Sequence, residues 1–156
     1  MVEAVNFNAP GQVVIAGQVS AVERAIEACK AAGAKRAMAL PVSVPSHCAL
    51  MRPAADKLAE QLQSTKFFAP ELPVINNVDV AVETDPAQIR DALIRQLYSP
   101  VRWVETVQAL KEQGVIRVYE CGPGKVLGGL IKRIDRDVAS CALETADAFE
   151  AALTGQ

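Results

Sequence analysis

The chain contains one histidine, His47, within the segment Val-Pro-Ser-His-Cys-Ala-Leu. Imidazole titrates near neutral pH, so histidine is well suited to take up a proton and return it. The segment joins a predicted extended stretch to a predicted long helix, at a position that exposes side chains to a cleft. A helix N-terminus disfavours the imidazolium, which would keep the ring neutral. His47 is therefore a candidate general base; the alternative is a histidine that merely sits at a helix start.

The cysteines offer a second possible nucleophile or a metal site. Cys48 follows His47 directly, but adjacent residues on a helix point in different directions and cannot simply form a dyad. The sequence therefore favours a buried thiol at this position. The four cysteines form no CxxC pair and do not cluster with the histidine, so no metal site is predicted and reduced thiols in a cytoplasmic protein are expected. They are Cys29, Cys48, Cys121 and Cys141.

Two polar pairs could contact a substrate. Asn6 and Asn8 alternate along a predicted strand and so face the same side, where they could line a pocket or satisfy a turn. Lys35 and Arg36 form a basic pair that could bind a phosphate or lie at a solvated edge. Neither choice is decided by the residues alone.

A glycine-rich turn invites comparison with phosphate-binding loops. Residues 122–125 read Gly-Pro-Gly-Lys before a predicted helix, and such glycines can expose backbone N–H groups to an anion. The GxxxxGK[ST] pattern is not met, because Tyr119 and Val126 stand where a glycine and a hydroxyl residue are required. A plain strand-to-helix turn is the favoured interpretation.

Composition bounds the class of protein. The 156 residues are 51% hydrophobic and 22% charged, which predicts a folded chain of one domain, or of one domain and a small subdomain. The formal net charge of -2 gives no electrostatic case for nucleic-acid binding. No apolar run approaches a membrane span, and the start shows no basic-then-apolar leader.

The first 44 residues predict a strand, turn, strand, helix and strand. Residues 2–7 and 12–16 have strand composition, and Pro10-Gly11 predicts the turn between them. Ser20 and Glu23 have the spacing of a capping box, and Gly33 is placed to end that helix. Residues 35–44 are expected to be extended again.

The rest of the chain alternates helices with strands, which predicts an α/β architecture with a largely parallel sheet. The subdomain boundary is expected near residues 41–45. In order, the predicted elements are a helix after His47, a strand at 74–82, a helix capped by Asp85-Pro86, a helix from Ser99-Pro100 to Gly114, a strand at 115–119, a helix at 126–134, a strand at 139–143 and a helix at 146–153.

Four ordered strings resemble the malonyl-CoA:acyl carrier protein transacylases of bacterial fatty acid synthesis. They are VNFNAPGQVVIAG at 5–17, LPVSVPSH at 40–47, QLYSPVRW at 96–103 and ECGPGKVL at 120–127. The resemblance implies a C-terminal half of such an enzyme: residues 1–44 as the later part of a ferredoxin-like inserted subdomain, and residues 45–156 as a portion of an α/β-hydrolase-like core.

The same resemblance implies a two-step acyl transfer, with a coenzyme A thioester as substrate and no other cofactor. A serine takes malonyl from coenzyme A and passes it to the phosphopantetheine thiol of acyl carrier protein. His47 matches the catalytic histidine, and Gln96 matches the residue whose backbone carbonyl orients it. Substrate-binding positions are matched by Asn6, Asn8, Lys35 and Arg36.

The family's serine motif, G-H-S-x-G, is absent from this sequence, as are its oxyanion-hole loop and the arginine that pairs with the malonyl carboxylate. The isolated chain is therefore expected to be inactive and to need the missing N-terminal half as a partner. A non-catalytic piece that binds carrier protein or coenzyme A, and a related serine hydrolase, are the alternatives. In related acyltransferases the residue before the histidine helps to select the acyl group, but Ser46 at this position does not indicate whether that group is malonyl or branched.

Overall fold

The structure is a computed structural model, and it describes residues 1–154. Its strands and helices alternate in part, so the mixed α/β class predicted from the sequence is confirmed. In chain order the elements are β1 (Val2–Ala9), β2 (Gln12–Gly17), α1 (Val19–Ala31), a 3₁₀ turn (Ala49–Met51), α2 (Arg52–Ser64), α3 (Pro86–Arg95), α4 (Trp103–Glu112), β3 (Arg117–Glu120), α5 (Val126–Ile134), β4 (Ala139–Ala142) and α6 (Ala146–Thr154).

The chain divides into two compact units. The first contains Met1–Phe7 and Val13–Arg102, and the second contains Asn8–Gln12 and the chain from Trp103 onward. In the first unit, β1 also pairs with the segment after α3: Phe7 N–H donates to the carbonyl of Val101 at 2.9 Å, and Val101 N–H donates to Val5 at 2.8 Å.

The second unit is built on a short parallel sheet. Strands β3 and β4 pair in parallel, with Arg117 opposite Ala139 and Glu120 opposite Ala142. Helices pack on this sheet around a small core of Val107, Ile131 and Val138, against which Trp103, Val118 and Ile134 are packed.

Several local predictions hold because they depend on neighbours in the chain. Asp85 caps α3, with its carboxylate accepting from Ala87 N–H at 2.8 Å and Pro86 at the first helical position. Gly11 adopts φ 72° in the turn between β1 and β2, as the Pro-Gly pair predicts. Gly33, at φ 87°, directly follows Ala32, the C-cap of α1, and its N–H donates to the carbonyl of Lys30.

The predicted capping box at Ser20 is wrong. Helix α1 begins one residue before Ser20, and its N-cap is Gln18, whose side chain makes no capping bond. The Gln18 carbonyl instead accepts from Ala21 and Val22 N–H, and the Gln18 side chain accepts from the Met1 amino group at 2.7 Å. A bond to the chain start thus holds this helix end.

The strand predicted at residues 35–44 does not form in the described chain. The apolar residues of the segment alternate, but Met38, Leu40, Val42 and Val44 remain 53%, 51%, 67% and 51% exposed. A strand needs a neighbour for its backbone N–H and C=O groups, and residues 35–44 pair with none of the strands described. The apolar side chains of this segment alternate as they would in a strand, but the segment has no partner strand among those described.

The strand predicted at residues 74–82 is also wrong. Only a single antiparallel bridge, between Ile75 and Val82, remains of it. The Asn76 side chain accepts from the N–H groups of Val78 and Asp79, at 3.1 and 2.8 Å, and so bends the chain into a tight loop. Val80 in that loop has φ 57°, in the left-handed region.

Candidate active site

His47 is held by two consecutive carbonyl groups from a segment 49 residues further along the chain. Its ring Nδ1 lies 2.7 Å from the backbone oxygen of Gln96, and its own N–H donates to the carbonyl of Leu97 at 3.0 Å. A carbonyl oxygen only accepts hydrogen bonds, so Nδ1 carries the proton in this contact. The neutral ring therefore keeps its lone pair on Nε2, which is the nitrogen left to act as a base.

The two carbonyls are available because α3 ends at this point. Gln96 is the C-cap of the helix, and the last carbonyls of a helix lack partners within it. A helix C-terminus attracts N–H donors, and both the ring and the backbone N–H of His47 meet that need. His47 thus contacts the end of α3, not the start of a helix.

The backbone at His47 differs from the expectation that the residue opens a helix. His47 lies in a turn with φ 64°, the 3₁₀ turn begins at Ala49, and α2 begins only at Arg52. The helix start invoked from the sequence therefore lies five residues after His47, and not at the histidine itself. From this turn the ring Nδ1 contacts the Gln96 carbonyl.

A shallow depression of about 250 Å³ lies beside the ring, lined by Ser46, His47, Met51, Gln96 and Leu97. Its wall is mostly apolar side chain and backbone, which suits an acyl chain or a thioester better than an ion. Among the residues that line the depression, His47 is the one with a titratable side chain. A proton acceptor in a partly apolar depression can serve acyl transfer.

Cys48 does not share this chemistry. Its side chain is fully buried, and Sγ donates to the carbonyl of Pro45 at 3.2 Å. The buried thiol predicted from the sequence is confirmed. The neighbouring N–H of Ala49 donates to the Glu3 carboxylate at 3.2 Å, which ties the turn after His47 to β1.

The other sequence candidates do not line the depression beside His47. Asn6 is half-buried in β1 opposite Val101, and Asn8 belongs to the second unit. Lys35 and Arg36 are exposed after α1, where Arg36 Nε lies 3.0 Å from the Met38 sulfur. Within the first unit the structure thus brings together His47 and Gln96 and leaves Asn6 and the basic pair elsewhere.

The glycine-rich turn is occupied by a carboxylate of the chain itself. Glu120 accepts from Leu127 N–H at 3.0 Å and from Gly128 N–H at 2.9 Å, and these backbone bonds lower the pKa of Glu120. Its charge already satisfies the start of α5, where a phosphate would have to bind. The strand-to-helix turn is confirmed, with Gly122 and Gly124 at φ 126° and 99°.

An ion pair beside Gln96 was missed from the sequence. Arg95 binds Asp79 through two parallel hydrogen bonds of 2.8 and 2.7 Å, and this pairing lowers the pKa of Asp79. The two residues are 16 apart, and no spacing rule connects a loop aspartate to the end of the next helix. The charged pair adjoins the carbonyl that holds His47.

Among residues 1–154, no three or more His, Cys, Asp and Glu side chains are grouped so that they could hold a metal ion. None of the helices described is both long and apolar enough to cross a bilayer.

The chain is similar in sequence to proteins of one kind from several bacteria. The malonyl CoA-acyl carrier protein transacylase of Salmonella typhimurium is 64% identical over 154 residues, which cover 99% of this chain and 50% of that protein. The chain spans about half the length of the curated relatives it matches. No protein-family model matches it.

Solved structures give the same correspondence. The acyl-carrier-protein S-malonyltransferase of Burkholderia pseudomallei is 54% identical with a TM-score of 0.96, over 99% of this chain and 50% of that one. A malonyl-transacylase solved in complex with a type II PKS acyl-carrier protein is 58% identical with a TM-score of 0.98, over 100% of this chain and 50% of that one. Over almost its whole length, the chain therefore corresponds to the C-terminal half of a malonyl CoA-acyl carrier protein transacylase.

Proposed function

We propose that this chain supplies the proton-transferring half of a malonyl-CoA:acyl carrier protein transacylase. The observation that carries the proposal is the contact between His47 Nδ1 and the Gln96 carbonyl, at 2.7 Å. This contact leaves Nε2 as the basic nitrogen, which is the state that a general base for a serine hydroxyl requires. The serine is supplied by the other half of the enzyme, whose motif this sequence lacks.

The chemistry is a balanced pair of transfers. Nε2 takes the proton as the serine oxygen attacks the malonyl thioester carbonyl; the carbon–sulfur bond then breaks, and the imidazolium returns the proton to the coenzyme A thiolate. The phosphopantetheine thiol of acyl carrier protein repeats these steps in reverse on the seryl ester. The Gln96 carbonyl holds the ring throughout and stabilises the Nδ1–H that remains.

Substrate contacts are assigned by resemblance. Asn6 and Asn8 are proposed to line the cleft when the enzyme is whole, and Lys35 and Arg36 to meet coenzyme A phosphates or the acidic carrier protein. The exposure of Lys35 and Arg36 supports their availability to such a partner. We place the whole enzyme in the cytoplasm, with a coenzyme A thioester as substrate and no further cofactor.

The finer fold forms part of the same proposal. Residues 1–44 are taken as the later part of a ferredoxin-like subdomain and residues 45–156 as part of an α/β-hydrolase-like core. The β1–β2 sheet followed by α1 supports the former, and the parallel β3–β4 pair with its helices supports the latter. The exposed apolar side chains of Met38, Leu40, Val42 and Val44 offer an apolar surface to the other half.

A complementation experiment tests the proposal. The chain is mixed with the N-terminal half of the Salmonella typhimurium relative and supplied with radiolabelled malonyl-CoA and carrier protein. We expect an acyl-enzyme and malonyl-carrier protein from the mixture alone, and neither product with His47→Gln, because a glutamine amide cannot take the proton. A stable complex of the two halves that transfers nothing would overturn the enzyme assignment.

The same assay, run with and without the second half, separates the two alternatives. A binding fragment would capture carrier protein or coenzyme A without the second half and would be indifferent to His47→Gln. A related hydrolase would release free malonate to water as fast with carrier protein as without it. Transfer that depends on carrier protein and on His47 excludes both alternatives.

A further inference from the structure

The end of α3 is fixed by a fork-shaped ion pair. Both terminal nitrogens of Arg95 donate to the two oxygens of Asp79, at 2.8 and 2.7 Å, and Nε donates to Asp91 at 2.5 Å. The Asp79 and Arg95 side chains are 34% and 30% exposed, so the pair is partly shielded from water. Two parallel charge-assisted bonds fix the direction of a guanidinium as well as its distance.

Asp79 is presented by a loop that is itself rigidly built. The Asn76 side chain accepts from the N–H groups of Val78 and Asp79 and donates to the carbonyl of Ala81 at 3.0 Å. The backbone of Asn76 adds bonds to Ala81 and Val80. Val80 keeps φ 57°, which a β-branched residue adopts only where its surroundings enforce it. The carboxylate therefore meets Arg95 from a preformed position.

The same loop also holds the far end of the segment that faces His47. Arg102 Nη1 donates to the carbonyl of Val78 at 3.2 Å, and Arg102 N–H lies 3.4 Å from the carbonyl of Asn77. Arg95 and Arg102 bracket residues 96–101, which include both carbonyls that bind His47. The turn that offers these acceptors is thus anchored to one loop on both sides.

We propose that Asp79 is a positioning residue for His47, acting through Arg95 and the backbone carbonyl of Gln96. A hydrogen bond of 2.7 Å to a ring nitrogen leaves little tolerance for displacement of the acceptor. Arg95 is the last residue of α3 and Gln96 is its C-cap, so the ion pair ties the helix end that carries the acceptor to the loop of Asp79. Misplacement of a catalytic group by about 1 Å lowers a rate by about a hundredfold.

His47 is the single histidine of the sequence, so its ring nitrogens can be observed without ambiguity by ¹⁵N NMR. The spectra of all variants are recorded at one alkaline pH, so that differences between them report which ring nitrogen carries the proton. In the unmodified chain we expect the proton to reside mainly on Nδ1. In Asp79→Asn we expect the Nε2–H tautomer to increase at least threefold, because the carbonyl is no longer held on the ring.

Asp91→Asn is the matched control. It removes the other carboxylate from the same guanidinium, but Asp91 lies within α3, one turn from Arg95, and does not connect the helix to the loop. We expect its tautomer ratio to match that of the unmodified chain. Equal shifts in Asp79→Asn and Asp91→Asn, or no shift in either, would overturn the proposal.

If Asp79→Asn fails to fold by circular dichroism, Arg95→Lys replaces it. Lysine keeps the charge and cannot form two parallel bonds, so we expect the same change in tautomer; an unchanged ratio contradicts the proposal. The catalytic part rests on the proposed function: in the complemented mixture, kcat should fall about tenfold for Asp79→Asn with KM unchanged. The measurement of the tautomer ratio does not require an active enzyme, so the positioning role of Asp79 can be tested even if the transacylase assignment fails.

Discussion

The left-handed backbone of His47 makes an unusual prediction about stability. At most positions in helices and strands, a protein with glycine is less stable than the same protein with alanine by about 0.5–1 kcal/mol, because glycine loses more backbone freedom on folding. At φ 64° the order should reverse, since an L-residue with a Cβ pays roughly 1–2 kcal/mol there and glycine pays none. We expect His47→Gly to be more stable than His47→Ala by about 1 kcal/mol.

The comparison isolates the backbone because both variants delete the ring and its bond to the Gln96 carbonyl. Urea unfolding followed by circular dichroism measures the difference. With a slope of about 2 kcal/mol per molar urea, the midpoint of the glycine variant should lie about 0.5 M higher. Both variants should be inactive in the complemented mixture, so stability and activity separate.

Ala49→Gly is the control for this pair. Ala49 begins the 3₁₀ turn two residues later, where the backbone is helical, and glycine there should be less stable than alanine by about 0.5–1 kcal/mol. The reasoning is refuted if His47→Ala equals or exceeds His47→Gly in stability while the Ala49→Gly control behaves as expected.

Three further predictions concern the second unit. Ile131→Ala, in the core of the second unit, should lower the free energy of unfolding by about 2–5 kcal/mol, as measured by urea unfolding. Ile116→Ala, at a side chain that is 77% exposed, should change it by less than about 0.5 kcal/mol. Equal losses would contradict the assignment of Ile131 to the core. The backbone N–H groups of α5 lower the pKa of Glu120 below its usual 4.5. The stabilisation that the charged Glu120 gives the folded state is therefore complete above about pH 4.5 and is lost as the pH falls through the lowered pKa. Glu120→Gln should therefore flatten the acid limb of the stability curve, and an unchanged limb would show that the bonds are not formed. The buried Trp103 Nε1–H has no hydrogen-bond partner among the described residues. Trp103→Phe should therefore change the unfolding free energy by less than about 1 kcal/mol, because removal of the unpaired donor offsets the loss of side-chain volume. A loss of more than about 3 kcal/mol would indicate that the N–H has a partner.

The fold could be predicted where structure depends on adjacent residues. Asp85 with Pro86 predicted the start of α3, and the Pro10-Gly11 turn predicted the β1–β2 connection. The extended segment at residues 35–44 could not be judged in the same way. Its alternating apolar residues show that it suits a sheet, but pairing needs a second strand, which local sequence cannot supply.

The candidate site shows the same division. The type of residue made His47 a candidate base, but its contact with Gln96 spans 49 positions, and Gln96 was expected only through resemblance to a family. Asp79 and Arg95 gave no signal, because an aspartate in a loop and an arginine at a helix end are common at solvated surfaces. Their meeting depends on where the Asn76 turn and the end of α3 come together, and the spacing of the two residues does not indicate that contact.

The group that orients His47 is a peptide oxygen, and this changes which substitutions the site can tolerate. Every amino acid carries that oxygen, so exchanging the Gln96 side chain leaves the acceptor in place. A substitution at position 96 should therefore leave the hydrogen bond to Nδ1 in place. The vulnerable property is the local path of the main chain, and damaging changes should appear in residues that shape that path, such as a proline inserted into the last turn of α3.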